Sequence, residues 1–337
     1  MHEAVLWSAM EDGRVQCHLC AHRCVIAQGQ TGRCYVRYNE AGTLHTLVYD
    51  RLCATHADPI EKKPLFHFQP GTRSFSIATC GCNFQCDFCQ NWQISQSPGQ
   101  GHINGQKITP EQVVEAAVRS NCTSIAYTYT EPTIFMELAA DCARLARQRG
   151  LRNVFVSNGY MTREAIDFAR EWLDAINVDL KAFDDDDYRR LCKARLEPVM
   201  ETIVRIARET DIWLEVTTLV ISGQNDSEDE LTRLAQFLVK EAGSHVPWHI
   251  TRFYPQYGMH NSMPTSLESL ERAYEIGKKA GLHYVYLGNI PGSHAESTRC
   301  HGCNTVLIER VGYSIGTNRI ALNRCPDCGT HVSGVWG

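Results

Sequence analysis

The chain of 337 residues is 43% hydrophobic and 21% charged, the balance of a globular protein rather than a disordered or fibrous one. A net charge of −5 supplies no general attraction to nucleic acid, and no apolar run nears the roughly 18 residues that a membrane-spanning helix needs. The start, Met1-His2-Glu3-Ala4-Val5-Leu6-Trp7, lacks the basic and apolar regions of an export signal, which predicts a cytoplasmic protein. At about 150 residues per domain, the length predicts one large domain with small additions.

The outlier is 16 cysteines. A chain this long buries enough core to do without disulfides, and cytoplasmic thiols stay reduced. Clustered cysteines then point to metal rather than to each other. They form three groups: Cys17, Cys20, Cys24 and Cys34; Cys82, Cys86 and Cys89; and Cys300, Cys303, Cys325 and Cys328. Cys53, Cys80, Cys122, Cys142 and Cys192 stand apart and read as structural, since free cysteine behaves as a small buried hydrophobe.

In chain order, residues 1–70 hold the first group and short alternating segments such as 43–49, predicting a small Cys-rich metal-binding module. Residues 71–295 alternate short apolar runs with longer amphipathic ones. Strands are predicted at 74–80, 124–130, 153–158, 175–181, 214–220, 247–253 and 284–289, each rich in β-branched or aromatic residues. Thr109-Pro110-Glu111-Gln112 is a capping box that opens a helix. Ser227 and Glu230 form another, ahead of Leu231, Leu234, Ala235 and Leu238 on one helical face. Segments 134–149, 163–172, 197–209 and 266–280 also read as helices, and the acidic run Asp184 to Asp187 as a solvated turn. Residues 296–337 carry the last cysteine group.

Strands and helices alternating this often imply parallel βαβ units and an α/β fold. The span suits a (β/α) partial TIM barrel; an open doubly wound sheet is the alternative, because alternation alone does not show closure. In both, ligands sit at the C-terminal ends of the strands.

The first of these strands runs directly into Gly81-Cys82-Asn83-Phe84-Gln85-Cys86-Asp87-Phe88-Cys89-Gln90-Asn91-Trp92. Its C-x3-C-x2-C spacing gathers three soft thiolates, which suit an iron–sulfur cluster or zinc. A cubane cluster has four irons, so three ligands leave one iron open to a small molecule. A three-Cys zinc site with a remote fourth ligand is the other reading. The loop resembles the signature of radical S-adenosylmethionine (SAM) enzymes, including the aromatic Phe88 before the third cysteine. That resemblance implies a [4Fe–4S] cluster on Cys82, Cys86 and Cys89 whose open iron is chelated by SAM. It further implies reductive cleavage of SAM to a 5′-deoxyadenosyl radical that abstracts hydrogen from a substrate, and an electron donor of flavodoxin or ferredoxin type.

Candidate SAM contacts lie at successive strand ends. Glu131-Pro132 matches the end of a Gly-Gly-Glu-Pro turn of these enzymes, with Tyr129 and Thr130 in place of the glycines. A carboxylate at Glu131 can accept charge-assisted hydrogen bonds from the SAM ammonium. Ser157, Asn158, Asp179 and Lys181 resemble SAM-contact positions of the pyruvate formate-lyase activating enzyme group, and His249 and Arg252 end the sixth strand.

The last cysteine group, two C-x2-C pairs, is a zinc-ribbon pattern with four ligands and no open position. Cys17, Cys20, Cys24 and Cys34 suit zinc or an iron–sulfur cluster, with His18 and His22 leaving the ligand set open.

The similarity extends along the chain through Asp58-Pro59-Ile60-Glu61-Lys62-Lys63-Pro64-Leu65, Tyr127 to Thr133, Asn177 to Lys181 and Trp248 to Phe253. With the two flanking cysteine groups these motifs resemble the AmmeMemoRadiSam system radical SAM enzyme, a relative of pyruvate formate-lyase activating enzymes. That family implies association with AMMECR-type and Memo-type proteins and leaves the substrate open. The expectation is a radical SAM enzyme. Its rivals are an activase that takes hydrogen from a glycine of a protein partner, and a non-catalytic zinc or iron–sulfur scaffold.

Overall fold

The structure is a computed structural model that describes residues 1–290 and 292–336. Its centre is one eight-stranded sheet. The strands are β1 (Ala54–Pro59), β2 (Arg73–Ala78), β3 (Ser124–Tyr127), β4 (Arg152–Ser157), β5 (Ala175–Asp179), β6 (Trp213–Val220), β7 (Trp248–Arg252) and β8 (Val285–Gly288). They lie in chain order, β2 to β8 all parallel, with β1 antiparallel on the outer edge of β2. All seven expected strands are present.

Helices α1 (Pro110–Arg119), α2 (Met136–Gln148), α3 (Arg163–Ala169), α4 (Glu197–Glu209), α5 (Glu228–Phe237) and α6 (Leu267–Ala280) fill the crossovers. Thr109 closes the predicted capping box on Gln112, and Ser227 caps α5 through the amide of Glu230. Parallel crossovers are right-handed, so an order that never reverses puts every helix on one face. A doubly wound sheet requires a reversal, and this order excludes it. The other face curls inward: Ala126, Val154 and Ala175 meet Ile60, Leu65 and Phe68 in an interior cluster. The sheet is a partial barrel, and its ends β1 and β8 do not pair among the described residues.

Three expected strands end two or three residues early, β2 at Ala78, β3 at Tyr127 and β5 at Asp179. After Tyr127 the chain turns, with Tyr129 in the left-handed region at φ +64°, and β5 stops at Asp179. The acidic run is a helix start rather than a turn: the Asp184 carboxylate accepts from the Asp186 amide at 2.9 Å, as a good N-cap residue does.

The gap between β8 and β1 is filled from both ends of the chain. Residues 60–72 cross the barrel interior, where Asn177 Nδ2 donates to the Pro64 carbonyl at 2.7 Å. The buried Glu215 carboxylate on β6 accepts from the amides of Phe66 and His67 at 2.9 and 2.8 Å. From the other end, Val335 pairs alongside Phe68, and the antiparallel strands Val306–Val311 and Ser314–Asn318 cover the opening. Arg310 reaches inward from this hairpin and lies fully buried over Phe66.

His67 is the pivot of this closure. Its Nδ1 donates to the Ser333 carbonyl at 2.7 Å, and its Nε2 accepts from the Tyr286 hydroxyl at 2.6 Å. Burial pushes the ring down from 6.5 to about 4. The unfolded chain therefore binds one more proton between those values, and this part of the stability, complete above pH 6.5, is lost as pH falls toward 4. Denaturant titrations should show about 2 kcal/mol lost through this group between about pH 6.5 and pH 5. The loss should disappear in His67→Gln; an unchanged pH slope in that variant would refute the assignment.

Near the N-terminus, His2–Glu3, Thr43–Thr46 and Arg37–Glu40 form one small sheet, and Trp7–Ala9, Val15–Cys17 and Val25–Ile26 another. A buried ion pair at 2.8 Å between Arg37 and Glu137 ties this region to α2. No helix among the described residues is long and apolar enough to cross a membrane.

Candidate active site

A cavity of about 490 Å³ opens at the C-terminal ends of the barrel strands. The loop after β2 brings Cys82, Cys86 and Cys89 together on its wall. Gly81 makes that loop fit: it sits at φ +102°, and a Cβ there would meet Val36 at 2.9 Å and the Cys34 carbonyl at 3.2 Å. Only glycine takes this backbone shape without strain and without displacing the chain packed behind it.

The sulfurs are set among donors. The Phe84 amide points at Cys82 Sγ from 3.4 Å and Ser95 Oγ lies 3.2 Å from Cys89 Sγ. Cys192, which the sequence left unassigned, is buried beside Cys86, and the pairing of the two thiols holds Cys86 below its usual range.

Glu131 is almost wholly buried, and burial pushes its carboxyl up. Its Oε1 accepts from the Thr133 amide at 3.0 Å, the Thr133 hydroxyl at 2.6 Å and the Ser157 hydroxyl at 2.8 Å. Its Oε2 accepts from the Asn158 amide at 2.8 Å. A carboxylate offers about four lone-pair sites, two per oxygen, so capacity remains on Oε2, which carries one donor.

Of the six expected cofactor contacts, Glu131, Asn158, Asp179, Lys181 and His249 line the cavity with the three cysteines. Ser157 is not on the wall and acts by holding Glu131. Asn158 Nδ2 donates to Asn83 Oδ1 at 2.7 Å, fixing the amide next to Cys82. Asp179 and Lys181 pair at 2.8 Å, with the ammonium above the Phe88 ring. His249 lies on the floor, its Nε2 bound to Glu215 at 2.6 Å. Arg252 is absent from the wall; its Nε donates to the Thr265 carbonyl at 2.8 Å.

Sequence reasoning missed a further part of the lining, where Lys63 and Tyr129 reach the cavity and are both held by Asp58. Asp58 accepts from Lys63 at 2.9 Å, from Ser76 at 2.8 Å and from the Tyr129 hydroxyl. Burial raises the Asp58 carboxyl, but the bonds from Tyr129 and Lys63 outweigh it and hold it well below the usual range. Tyr129 accepts a left-handed backbone so that its hydroxyl reaches Asp58. The clue in the sequence was the charged Asp58 to Lys63 motif. Only the threading of residues 60–72 through the barrel shows that it faces the cavity.

The flanking cysteine sets differ in geometry. A tetrahedral zinc with bonds of about 2.3 Å holds its sulfurs about 3.8 Å apart. Cys300 and Cys328 lie 3.5 Å apart and Cys303 and Cys325 3.7 Å apart, and all four sulfurs are within 4.8 Å of one another. This cluster is compatible with a zinc-ribbon-like module. Cys17, Cys20, Cys24 and Cys34 surround a small cavity with Leu19, Ile26 and Ile134.

A three-thiolate loop at the mouth of a (β/α) partial barrel has a counterpart in known sequences. The family profile described as Radical SAM superfamily matches residues 76–235, which begin in β2 and contain the whole loop. The uncharacterized protein MJ0808 of Methanocaldococcus jannaschii is 42% identical over 334 residues, 98% of this chain and 99% of its own.

The chain belongs to the radical SAM superfamily.

A second protein of that organism, MJ1632, named as a candidate glycyl-radical enzyme activating enzyme, is 24% identical over 64% of this chain and 78% of its own. The crystal structure of a radical SAM methyltransferase from Sphaerobacter thermophilus shares the fold, with a TM-score of 0.51 and 17% identity over 66% of this chain and 68% of that one. The protein is thus an enzyme of the radical SAM class, a family that implies a [4Fe–4S] cluster and SAM. The residues present fit both groups. Three thiols, two of them with a polar group at the sulfur, could supply three of four ligands, and the same cavity carries acceptors for an ammonium and a lysine for a carboxylate.

Proposed function

We propose that this radical SAM enzyme holds its cluster on Cys82, Cys86 and Cys89 and binds SAM against Glu131, Asn158, Asp179 and Lys181. The supporting observation is the single cavity wall that brings the three thiols and these four side chains together. When bound, cluster and SAM supply reductive bond cleavage and hydrogen abstraction. The chain orients and shelters them. Glu131 Oε2 receives the SAM ammonium, and Ser157 and Thr133 keep that carboxylate aimed. Lys181 offers charge to the SAM carboxylate. Substrate occupies the side lined by Lys63 and Tyr129, which Asp58 holds in place and where an ammonium and a hydroxyl suit a polar group.

In this reading residues 1–70, 71–295 and 296–337 are the Cys-rich module, the barrel and the zinc-ribbon-like module of a cytoplasmic enzyme. A flavodoxin- or ferredoxin-like protein supplies its electrons. The order of motifs supports the AmmeMemoRadiSam assignment, with AMMECR-type and Memo-type partners. The test is anaerobic reconstitution, then dithionite and SAM. The expected product is 5′-deoxyadenosine; its absence would falsify the proposal.

The named relative MJ1632 favours one second reading, activation of a glycyl-radical protein. A partner protein treated with the reduced enzyme would then carry a carbon-centred radical signal in electron paramagnetic resonance. A small-molecule substrate leaves that spectrum silent.

We assign a structural zinc to Cys300, Cys303, Cys325 and Cys328. Cys325→Ser should lower bound zinc by about one ion per chain and lower the melting temperature, because the hairpin beside this site carries Arg310 into the barrel. Zinc content equal to wild type would exclude this ligand set.

A further inference from the structure

A second cavity of about 480 Å³ lies beside β8, almost as large as the one at the strand ends. β8 is the last strand of its sheet, with a free outer edge among the described residues. The cavity is walled by α6, the approach to β8, the segment leading to Cys300 and the first C-x2-C knuckle. Binding of cluster and SAM makes no use of it.

Its lining is of one sign. Lys278, His283, His294, Arg299 and His301 line it, and no carboxylate does among the described residues. The whole chain carries a net charge of −5, so this is a local feature. Two acids of α6 stand near without lining it: Glu271 Oε1 is 3.7 Å from His294 Nδ1, and Glu275 supports the charge of Lys278. Burial, then His301, His245 and Lys278, push the His283 ring down, as basic groups crowded without an anion do. A cleft lined by one sign focuses its field on a ligand of the other.

Donors remain for that ligand. Arg299 commits Nη1 to the Asn304 carbonyl at 3.2 Å, and its other donors have no protein partner among the described residues. Lys278 Nζ donates to the Leu282 and His283 carbonyls at 3.4 and 3.0 Å, which leaves one of its three protons. The His283 and His301 rings stack with centroids 3.9 Å apart and planes 6° apart, and Tyr284 Oη lies 3.1 Å from His301 Nδ1. The two imidazoles thus form one fixed wall.

Size and chemistry narrow the occupant. The volume lies within the roughly 300–1,000 Å³ of small-molecule sites. A planar guanidinium with free donors beside an ammonium matches phosphate oxygens, which accept from both. Two fixed positive charges and three imidazoles suit several negative charges better than one.

We infer that this cavity binds an oligophosphate, with Arg299 and Lys278 on the phosphate oxygens and the His283–His301 wall beside them. Basic groups that only shield a free strand edge would bind nothing here.

The test is calorimetry on the full chain with inorganic pyrophosphate, adenosine diphosphate and citrate as probes. Pyrophosphate should bind with a Kd below about 1 mM. Lys278→Gln and Arg299→Gln should each weaken it about tenfold, the loss of one charge-assisted hydrogen bond. Tighter binding of adenosine diphosphate means that the ligand is a nucleotide; equal or weaker binding means that the phosphates alone are read. No binding of pyrophosphate overturns the site, as do unchanged affinity in both variants and citrate binding as tight as pyrophosphate. A second measurement needs no variant. Pyrophosphate should protect Lys278 of the wild type from acetylation by a succinimidyl ester, read by peptide mass spectrometry, while the exposed Lys240 stays reactive. Undiminished labelling of Lys278 overturns the inference.

Discussion

On the proposed assignment, Cys86→Ala should abolish 5′-deoxyadenosine formation and strip the central iron, while the rest of the chain stays folded. Cys86 is buried in the core and also lines the cavity, so losing one sulfur removes little packed volume. It leaves a cluster with two protein ligands and no means of holding an open iron in place. Anaerobic assay with dithionite and SAM, alongside iron analysis, measures this directly; equal product from the variant would mean that the triad is not the cluster site. Two companions grade the effect. Cys192→Ala should keep the iron but shift the spectrum and potential of the reduced cluster, because this buried thiol lies beside Cys86. Glu131→Gln should weaken SAM binding about tenfold, the loss of one charge-assisted hydrogen bond. It should also destabilise the fold, since an amide nitrogen cannot accept from the donors around that carboxylate.

The largest loss of stability is expected at Arg310. Its Nη1 donates to Thr298 Oγ1 at 2.6 Å and its Nη2 to the Phe66 carbonyl at 2.7 Å. Its guanidinium lies 4.3 Å from the centre of the Phe66 ring and 3.9 Å from Glu61 Oε1, and all three side chains are in the interior. Arg310→Met keeps most of the volume but leaves Glu61 buried without its cation, which costs about 3–5 kcal/mol. Adding Glu61→Gln removes the stranded charge and should recover part of that loss, a coupling expected of contacting groups. Denaturant unfolding of the two variants and their combination provides the measurement. A loss below about 1 kcal/mol, the level of an exposed pair, would show that the pair does not matter. Phe66 also packs edge-on against His249, so loosening Arg310 should soften the cavity floor and weaken substrate binding as well.

The central loop was legible because its chemistry is local. Spacing within eight residues sets three thiolates side by side whatever the rest of the chain does. The strands were legible for a similar reason: runs such as Ala175–Asp179 bury both faces, and that pattern is written residue by residue. Glu131 and Asn158 could be placed at strand ends, yet the direct bond between them needed β3 and β4 in register as neighbours.

Some roles invert between sequence and structure. Ser157 looked like a ligand contact and is a support for Glu131. Cys192 looked incidental and lies against Cys86, more than a hundred residues away in the chain. His249 is at the cavity as expected, but one nitrogen is committed to Glu215. These differences arise because a polar side chain at a strand end has several candidate partners, and only packing selects among them.

From the sequence alone came the alternation of strand and helix, the incomplete thiolate triplet and the two full sets of four. Each is a short-range pattern, fixed by hydrophobic periodicity or ligand spacing. The tertiary structure decided that the sheet curls into an open barrel, that residues 60–72 and the C-terminal hairpin fill its gap, and that Lys63 and Tyr129, held by Asp58, line the cavity. It also brought the four C-terminal sulfurs within 4.8 Å of one another, the spacing that suits one ion. Those outcomes depend on distant segments meeting, and no local pattern specifies such meetings.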